Sequence, residues 1–153
     1  MKAVTAAPAT SLRPELTAVL AALRAQYLLY QTEHWTSAGA TFMSDHILFE
    51  RLYKSVEEQI DQLAEKIVSY FGWGAADSAR QIALIAEFAG TWSKGATPAD
   101  RGLESERAVQ GALRAAYDAG KASGTMTLGL DDWLMSTANQ HETNTYLLQQ
   151  RAV

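Results

Sequence analysis

The segment that begins at His34 and ends at Glu65 reads HWTSAGATFMSDHILFERLYKSVEEQIDQLAE, and side chains that can bind a metal ion recur along it. His34 and His46 are twelve positions apart, and Glu50 follows the second histidine by four. Asp61 comes eleven positions after Glu50, and Glu65 four positions after Asp61. Imidazole and carboxylate groups suit iron, manganese and zinc. These five residues are therefore candidate ligands of a metal site.

The same segment joins two predicted helices. Apolar side chains recur every three or four positions, which is typical of one buried helix face. The first helix is predicted to begin near 11–14 and to end near 37–39, and the second to run from 41–44 to the glycines at 72 and 74. The two apolar stripes are Leu16, Leu20, Leu23, Tyr27 and Tyr30, followed by Phe42, His46, Phe49, Tyr53, Val56, Ile60, Leu63, Ile67 and Phe71. Two long helices joined by a few residues form an antiparallel hairpin.

The rest of the chain predicts a long connection and two further helices. Apolar spacing predicts a short helix at 78–92 within the connection. A third helix is predicted to start at Thr97-Pro98, with Thr97 as its N-terminal cap, and to reach about residue 122. A fourth is predicted to start near 128–131 and to continue to the C-terminus.

These elements predict an all-α fold. A connection this long lets the third long helix run parallel to the second, as ferritin-like bundles require. The predicted fold class is a ferritin-like four-helix bundle over residues 12–153, with a long crossover that contains a short extra helix. Residues 1–11 are small and unpatterned and are predicted to form a flexible N-terminal tail.

The composition is that of a globular protein and excludes several kinds of chemistry. Apolar residues make up 48% and charged residues 20% of the 153 positions. The absence of cysteine excludes disulfides and thiolate metal sites. The net charge of −4 argues against a strongly basic nucleic-acid binder. No apolar run reaches the roughly 18 residues of a membrane span, and no signal peptide is recognisable, so a cytoplasmic location is expected.

Helix geometry separates the five candidate ligands into two groups. Asp61 and Glu65 follow His46 by 15 and 19 positions, which places them ~22–28 Å away along one helix. No metal ion spans that distance, so one chain cannot supply all five ligands. A two-fold dimer with this helix packed antiparallel to its mate would bring Asp61 and Glu65 beside the partner's histidines.

A plainer explanation exists for each of these residues taken alone. Polar residues four apart on a helix edge are commonly solvated or ion-paired. A histidine in a helical core is commonly satisfied by a neighbouring polar group, and this is the interpretation adopted for His141.

The complete spacing resembles that of the Dps family, the mini-ferritins or DNA-binding proteins from starved cells, in the ferritin-like superfamily. The family pattern is His-x11-His-x3-Asp-x10-Asp-x3-Glu, and every interval is present between His34 and Glu65. The resemblance implies that His34, His46 and Glu50 of one subunit bind iron together with Asp61 and Glu65 of another.

The same resemblance implies an assembly and an activity. Such proteins form hollow dodecamers built from two-fold dimers and act as ferroxidases, oxidising Fe(II) with hydrogen peroxide or O2. They store the ferric product inside the shell, which protects against oxidative stress. Zinc is implied as a substitute occupant of the iron ligands.

Some residues depart from the family pattern. Glu50 stands where the family usually has aspartate and is longer by one methylene group. The tail carries only Lys2 and lacks the lysine cluster of DNA-binding members, so direct DNA binding is not expected. Asp131 and Asp132 at the start of the fourth helix have two interpretations: an acidic iron-uptake pore at a three-fold axis, or stabilisation of the helix dipole.

Two other functions predict different features. A di-iron protein with its site inside the bundle would carry Glu-x-x-His motifs. The residues three positions before the histidines are Gln31, Met43 and Ala138, so this motif is absent. The alternative that stays open is a structural or nucleoid-associated shell protein with little metal chemistry.

Overall fold

The computed structural model describes residues 10–92 and 96–152. The long helices are α1 (Arg13–Thr36), α2 (Phe42–Phe71), α4 (Pro98–Ser123) and α5 (Leu128–Arg151), with the shorter α3 (Ser78–Trp92) in the crossover. Short 3-10 helices lie at Thr10–Leu12, Gly39–Thr41 and Trp73–Ala76. The described residues contain no strand. The predicted four-helix bundle with a short crossover helix is confirmed.

The helix boundaries follow from local sequence signals. Gly72 ends α2 because its φ of 82° lies in a region that L side chains rarely adopt. Thr97 caps α4 as predicted, and it forms a capping box with Asp100 in which each side chain binds the other residue's backbone N–H. Thr127 caps α5 by accepting a hydrogen bond from the backbone N–H of Leu130.

The core forms where α1 packs against α2 and α4, with α5 completing the bundle beside α4. On α1 the predicted stripe is largely buried, and only Tyr27 is half-exposed. On α2 the buried face is rotated from the predicted one. Its buried members are Phe49, Leu52, Val56, Gln59, Leu63 and Ile67, with Asp45 at the start of the helix.

The other members of the predicted α2 stripe lie at the edge of this face. Phe42 is 40% exposed, and His46, Tyr53 and Ile60 are half-buried. The physical reason is that α2 packs against α1 on one side and the rest of the bundle on the other, so its apolar surface is broader than a single stripe. The candidate ligand His46 therefore lies at the edge of the core.

Both ends of the sequence extend beyond the described residues. Of the predicted tail at 1–11, residues 1–9 lie outside the described residues, and positions 10 and 11 belong to the first 3-10 helix. The C-terminal residue 153 also lies outside them. No helix in the described part of the chain is both long and apolar enough to cross a membrane.

Candidate metal centre

His34 and His46 lie face to face where α1 and α2 meet at the hairpin turn. Their ring centroids are 3.8 Å apart, with an interplanar angle of 23°. Nδ1 of His34 lies 2.8 Å from the carbonyl oxygen of His46, and Nδ1 of His46 lies 2.9 Å from the carbonyl oxygen of His34. The two histidines predicted to act together are thus adjacent, and each one orients the other.

These reciprocal contacts determine which ring nitrogen carries the hydrogen. A carbonyl oxygen only accepts hydrogen bonds, so each Nδ1 must donate an N–H. In the neutral imidazole the other nitrogen then holds a lone pair, so Nε2 is the atom available to a metal ion. Metal-binding histidines generally donate their second N–H to a protein oxygen in this way. Both side chains are half-buried, so solvent reaches the site.

Glu50 lies one helical turn beyond His46 and is held by a lysine. Its carboxylate accepts a charge-assisted hydrogen bond from Nζ of Lys54. This hydrogen bond and then the lysine charge lower the pKa of Glu50. The carboxylate is therefore ionised at neutral pH, as a metal ligand requires, but Lys54 competes for its oxygen.

Asp61 and Glu65 lie elsewhere on the same helix. Both are exposed, and α2 is continuous from Phe42 to Phe71, so they are ~22–28 Å from His46 at the rise of an α-helix. Within 10–92 and 96–152, no three histidine, aspartate or glutamate side chains converge closely enough to hold a metal ion. A single chain therefore places the histidine pair near Glu50, which lies one helical turn beyond His46. Asp61 and Glu65 lie too far along α2 to join them.

Exposed apolar side chains surround the histidine pair. Trp35 is 69% exposed, Met43 61% and Ile47 56%. The Phe42 ring lies 5.1 Å from the His46 ring, centroid to centroid. Several large apolar side chains are thus exposed close to the histidines in sequence, and exposed apolar surface of this kind suits an interface.

The third histidine belongs to a buried network that the sequence did not reveal. Nδ1 of His141 lies 2.6 Å from a carboxylate oxygen of Glu106, and its Nε2 lies 3.0 Å from Oε1 of Gln59. The hydroxyl of Tyr30 donates to the other Glu106 oxygen at 2.6 Å. Each of the four long helices supplies one member, and all four residues are under 10% exposed. The interpretation of His141 as a satisfied core histidine is confirmed.

Two further carboxylates are buried, and each immediately precedes one of the paired histidines in the sequence. Glu33 receives two hydrogen bonds from Arg101, at 2.6 and 2.8 Å. Asp45 receives two from Arg151, one of them at 3.0 Å. Adjacency to the histidines was the only sequence signal for these acids, and nothing local identified their arginine partners on α4 and α5.

The two acids at the start of α5 differ in environment. Asp131 is half-buried and accepts a hydrogen bond from Lys121 at 2.6 Å, whereas Asp132 is exposed. Asp131 lies in the first turn of α5, where a carboxylate favours the helix dipole. An uptake pore would require other subunits, so that interpretation stays a prediction.

Comparisons with known proteins agree on the fold. DpsC from Streptomyces coelicolor has a TM-score of 0.78 and 24% identity, with 94% of this chain and 84% of DpsC covered. A Dps protein from Vibrio cholerae O1, described as a member of a superfamily of ferritin-like diiron-carboxylate proteins, has a TM-score of 0.76 and 16% identity, with coverage of 93% and 89%. No family model matches the chain.

One curated relative matches at the level of sequence. The nutrient stress-induced DNA-binding protein of a Synechococcus strain is 40% identical over 52 residues. The match spans 34% of this chain and about a third of the relative, 30% of its length.

The protein is a ferritin-like helical bundle that carries a histidine pair at the turn of its first hairpin. More narrowly, its fold is the one that Dps proteins adopt, which confirms the resemblance inferred from the spacing of the candidate ligands.

Proposed function

We propose that the protein is a Dps-like ferroxidase and iron-storage protein whose metal sites form between two subunits. The observation that carries this proposal is the His34–His46 pair, in which both Nδ1 atoms donate to main-chain oxygens. Two orienting hydrogen bonds and two available Nε2 atoms are the arrangement that a metal site needs. Glu50 is the ionised oxygen donor next to this pair. His34, His46 and Glu50 together form one half-site, and Asp61 and Glu65 form the other.

The positions of the ligands on α2 define how a second subunit completes the site. The pairs His46/Glu65 and Glu50/Asp61 are both centred between positions 55 and 56. A two-fold axis at this point, with two α2 helices antiparallel, therefore sets both pairs opposite each other at once. Each site then contains His34, His46 and Glu50 of one chain with the partner's Asp61 and the partner's Glu65.

The same axis offers a new partner for the lysine that holds Glu50. Lys54 and Glu57 are also centred between positions 55 and 56, so Lys54 faces the partner's Glu57 in this dimer. An ion pair there would release the Glu50 carboxylate for a metal ion. The charges of the dimer interface are thus consistent with the proposed register.

The donor set suits the oxidation of iron. Two Fe(II) ions each give up one electron, and hydrogen peroxide takes up both electrons with two protons to form two waters. Carboxylates stabilise the ferric product because hard oxygen anions favour the higher charge. The residues supply three carboxylates and two neutral imidazoles, and the same ligands can accept zinc.

Storage requires a closed shell, and exposed apolar residues far from the site support further contacts between subunits. Trp73 is 86% exposed and Leu128 90% exposed, at the end of the bundle opposite the hairpin turn. A hollow dodecamer built from two-fold dimers accommodates both kinds of contact. A cytoplasmic location is part of the proposal and rests on the sequence alone.

The first test measures iron oxidation. Protein loaded anaerobically with Fe(II) is mixed with hydrogen peroxide or with O2, and ferric absorbance is followed over time. We expect His46→Ala and Asp61→Ala each to lower the initial rate at least tenfold. Rates equal to wild type in both variants would refute the site assignment.

A mixing experiment tests whether the site is shared between subunits. Shells that contain equal amounts of His46→Ala and Asp61→Ala chains include mixed dimers, in which one of the two sites regains all its ligands. We expect about a quarter of the wild-type activity, since half of the dimers are mixed. Shells mixed from His34→Ala and His46→Ala chains are the control and regain nothing, because both changes fall in the same half-site. No recovery in the first mixture would exclude a shared site.

The structural or nucleoid-associated alternative gains little support. The relative that is 40% identical over 52 residues is named for DNA binding, but this chain has a net charge of −4 and one lysine among its first eleven residues. Phosphate contacts from lysine and arginine dominate non-specific DNA affinity. Direct DNA binding therefore stays outside the proposed function.

A further inference from the structure

Each histidine of the candidate site directly follows a buried carboxylate. Glu33 precedes His34 and is 3% exposed, and Asp45 precedes His46 and is 7% exposed. Successive residues of a helix are about 100° apart, so each carboxylate faces the bundle while its histidine faces the hairpin edge. A charge in such a position is expensive unless it is paired and hydrogen-bonded.

Both carboxylates are paired by an arginine from the opposite half of the chain. Arg101 of α4 binds Glu33 through two parallel hydrogen bonds, Nε to Oε1 at 2.6 Å and Nη2 to Oε2 at 2.8 Å. Arg151 of α5 binds Asp45 in the same two-pronged manner, and its Nη2 lies 3.0 Å from Oδ2. This geometry restrains direction as well as distance.

Helix dipoles explain only one of the two ion pairs. Asp45 lies in the first turn of α2 and Arg151 in the last turn of α5, where each charge is favourable even alone. Glu33 lies near the C-terminal end of α1 and Arg101 near the N-terminal end of α4, where each charge is unfavourable. Helix stabilisation therefore gives no reason for the Glu33–Arg101 pair, and a role at the neighbouring histidine does.

We propose that Arg101 and Arg151 are positioning residues of the metal site, which act through Glu33 and Asp45 to set His34 and His46. The metal-binding part of this inference rests on the proposed function. The reciprocal Nδ1 contacts of 2.8 and 2.9 Å require the end of α1 and the start of α2 to keep their mutual rotation and height. The ion pairs tie these two segments to α4 and α5, so the second half of the bundle orients ligands that it does not itself supply.

The first readout needs no metal. In metal-free protein labelled with 15N at histidine, solid-state NMR reports which ring nitrogen carries the hydrogen. Wild type is expected to show His34 and His46 with hydrogen on Nδ1. In Arg101→Met and in Arg151→Met, both rings should change toward hydrogen on Nε2. The two Nδ1 hydrogen bonds depend on the same placement of α1 against α2, so both are lost together.

The second readout is Co(II) affinity by titration calorimetry. Loss of a group that orients a metal ligand typically weakens binding 10- to 100-fold, and this is the expected loss in both arginine variants. Lys121→Met is the matched control, because Lys121 also joins α4 to α5 by an ion pair, with Asp131 at 2.6 Å. It should leave the histidine hydrogens and the Co(II) affinity unchanged.

A charge-exchanged variant covers the case in which a single substitution prevents folding. Glu33→Arg/Arg101→Glu keeps the ion pair and places both charges favourably for their helix dipoles. It should restore hydrogen on Nδ1 of both rings and bring Co(II) affinity to within threefold of wild type. A folded double variant with hydrogen on Nε2 would overturn the inference, as would folded single arginine variants with both histidines and Co(II) binding unchanged.

The two proposals fail in different ways. If wild-type protein does not bind Co(II), the proposed metal site is wrong. The positioning inference is still decided by the NMR measurement in that case, since it is made without metal.

Discussion

Histidine side chains meet polar partners at two places in the molecule. The two places differ in how many ring nitrogens remain available to a ligand. In the core, His141 is fully buried and both of its ring nitrogens have a side-chain partner, Glu106 and Gln59. At the hairpin turn, His34 and His46 are half-buried, and each uses Nδ1 to bind a main-chain oxygen. The core histidine has no nitrogen to offer a ligand, whereas the hairpin histidines each offer Nε2.

The comparison shows that burial and hydrogen-bond saturation distinguish a structural histidine from a candidate ligand. A saturated histidine in the core holds helices together, since its partners come from α2 and α4 while it lies on α5. A histidine with one satisfied nitrogen is oriented but still available. Variants at both places should therefore separate stability from metal binding.

The largest effect is expected for His141→Ala. The change removes the partner of a buried carboxylate, which typically destabilises a protein by about 3–5 kcal/mol. His46→Ala removes hydrogen bonds at a half-buried position, so its free energy of unfolding should fall by only about 1–2 kcal/mol. Urea unfolding followed by circular dichroism measures both. Equal losses in the two variants would contradict the distinction.

Tyr30→Phe tests the core network through pH. Burial, followed by the charge and hydrogen bond of Glu106, raises the pKa of Tyr30 well above its ordinary value. An unfolded tyrosine loses its proton near pH 10, so above this pH the unfolded state binds fewer protons than the folded state and stability falls as pH rises. Between pH 10 and 11 the wild type should lose about 1 kcal/mol more than Tyr30→Phe.

The matched control for this titration is Tyr146→Phe. Tyr146 is 58% exposed, so its removal should leave the alkaline loss of stability as in wild type. Unfolding curves in urea at pH 8, 10 and 11 give the comparison. Parallel curves for wild type and Tyr30→Phe would show that the hydroxyl of Tyr30 titrates normally.

The smallest effect is expected for Lys54→Met at the hairpin site. The Lys54–Glu50 ion pair is exposed, and exposed pairs contribute little. In the proposed dimer the partner's Glu57 also competes for Lys54, so removing Lys54 should raise Co(II) affinity by no more than about fivefold. Arg51→Met removes a neighbouring exposed cation of the same helix and controls for the general change in charge. An equal rise in both variants would show that net charge, rather than release of Glu50, is responsible.

Much of the fold could be predicted because its signals are local. The boundaries of α3 at Ser78–Trp92 and the cap of α4 at Thr97 follow from apolar spacing and from the residues at the helix ends. The face of α2 was predicted less well, because a helix with neighbours on two sides buries more than one stripe. Which of its edges faced the core depended on those neighbours.

The candidate site divides in the same way. The intervals between His34, His46, Glu50, Asp61 and Glu65 are a property of the sequence, and helix rise alone separates them into two half-sites. The hairpin, which places the first two opposite each other, is also readable from sequence. Whether a second subunit completes the site stays a prediction.

The tertiary structure decided what the spacing could not. Arg101 lies 68 positions from Glu33 and Arg151 lies 106 positions from Asp45, and the partners of His141 are 35 and 82 positions away. Periodicity and capping act over a few residues, so they determine the helices and the intervals along them. Hydrogen-bond partners, and with them the nitrogen that each histidine leaves free, depend on which distant helices pack side by side.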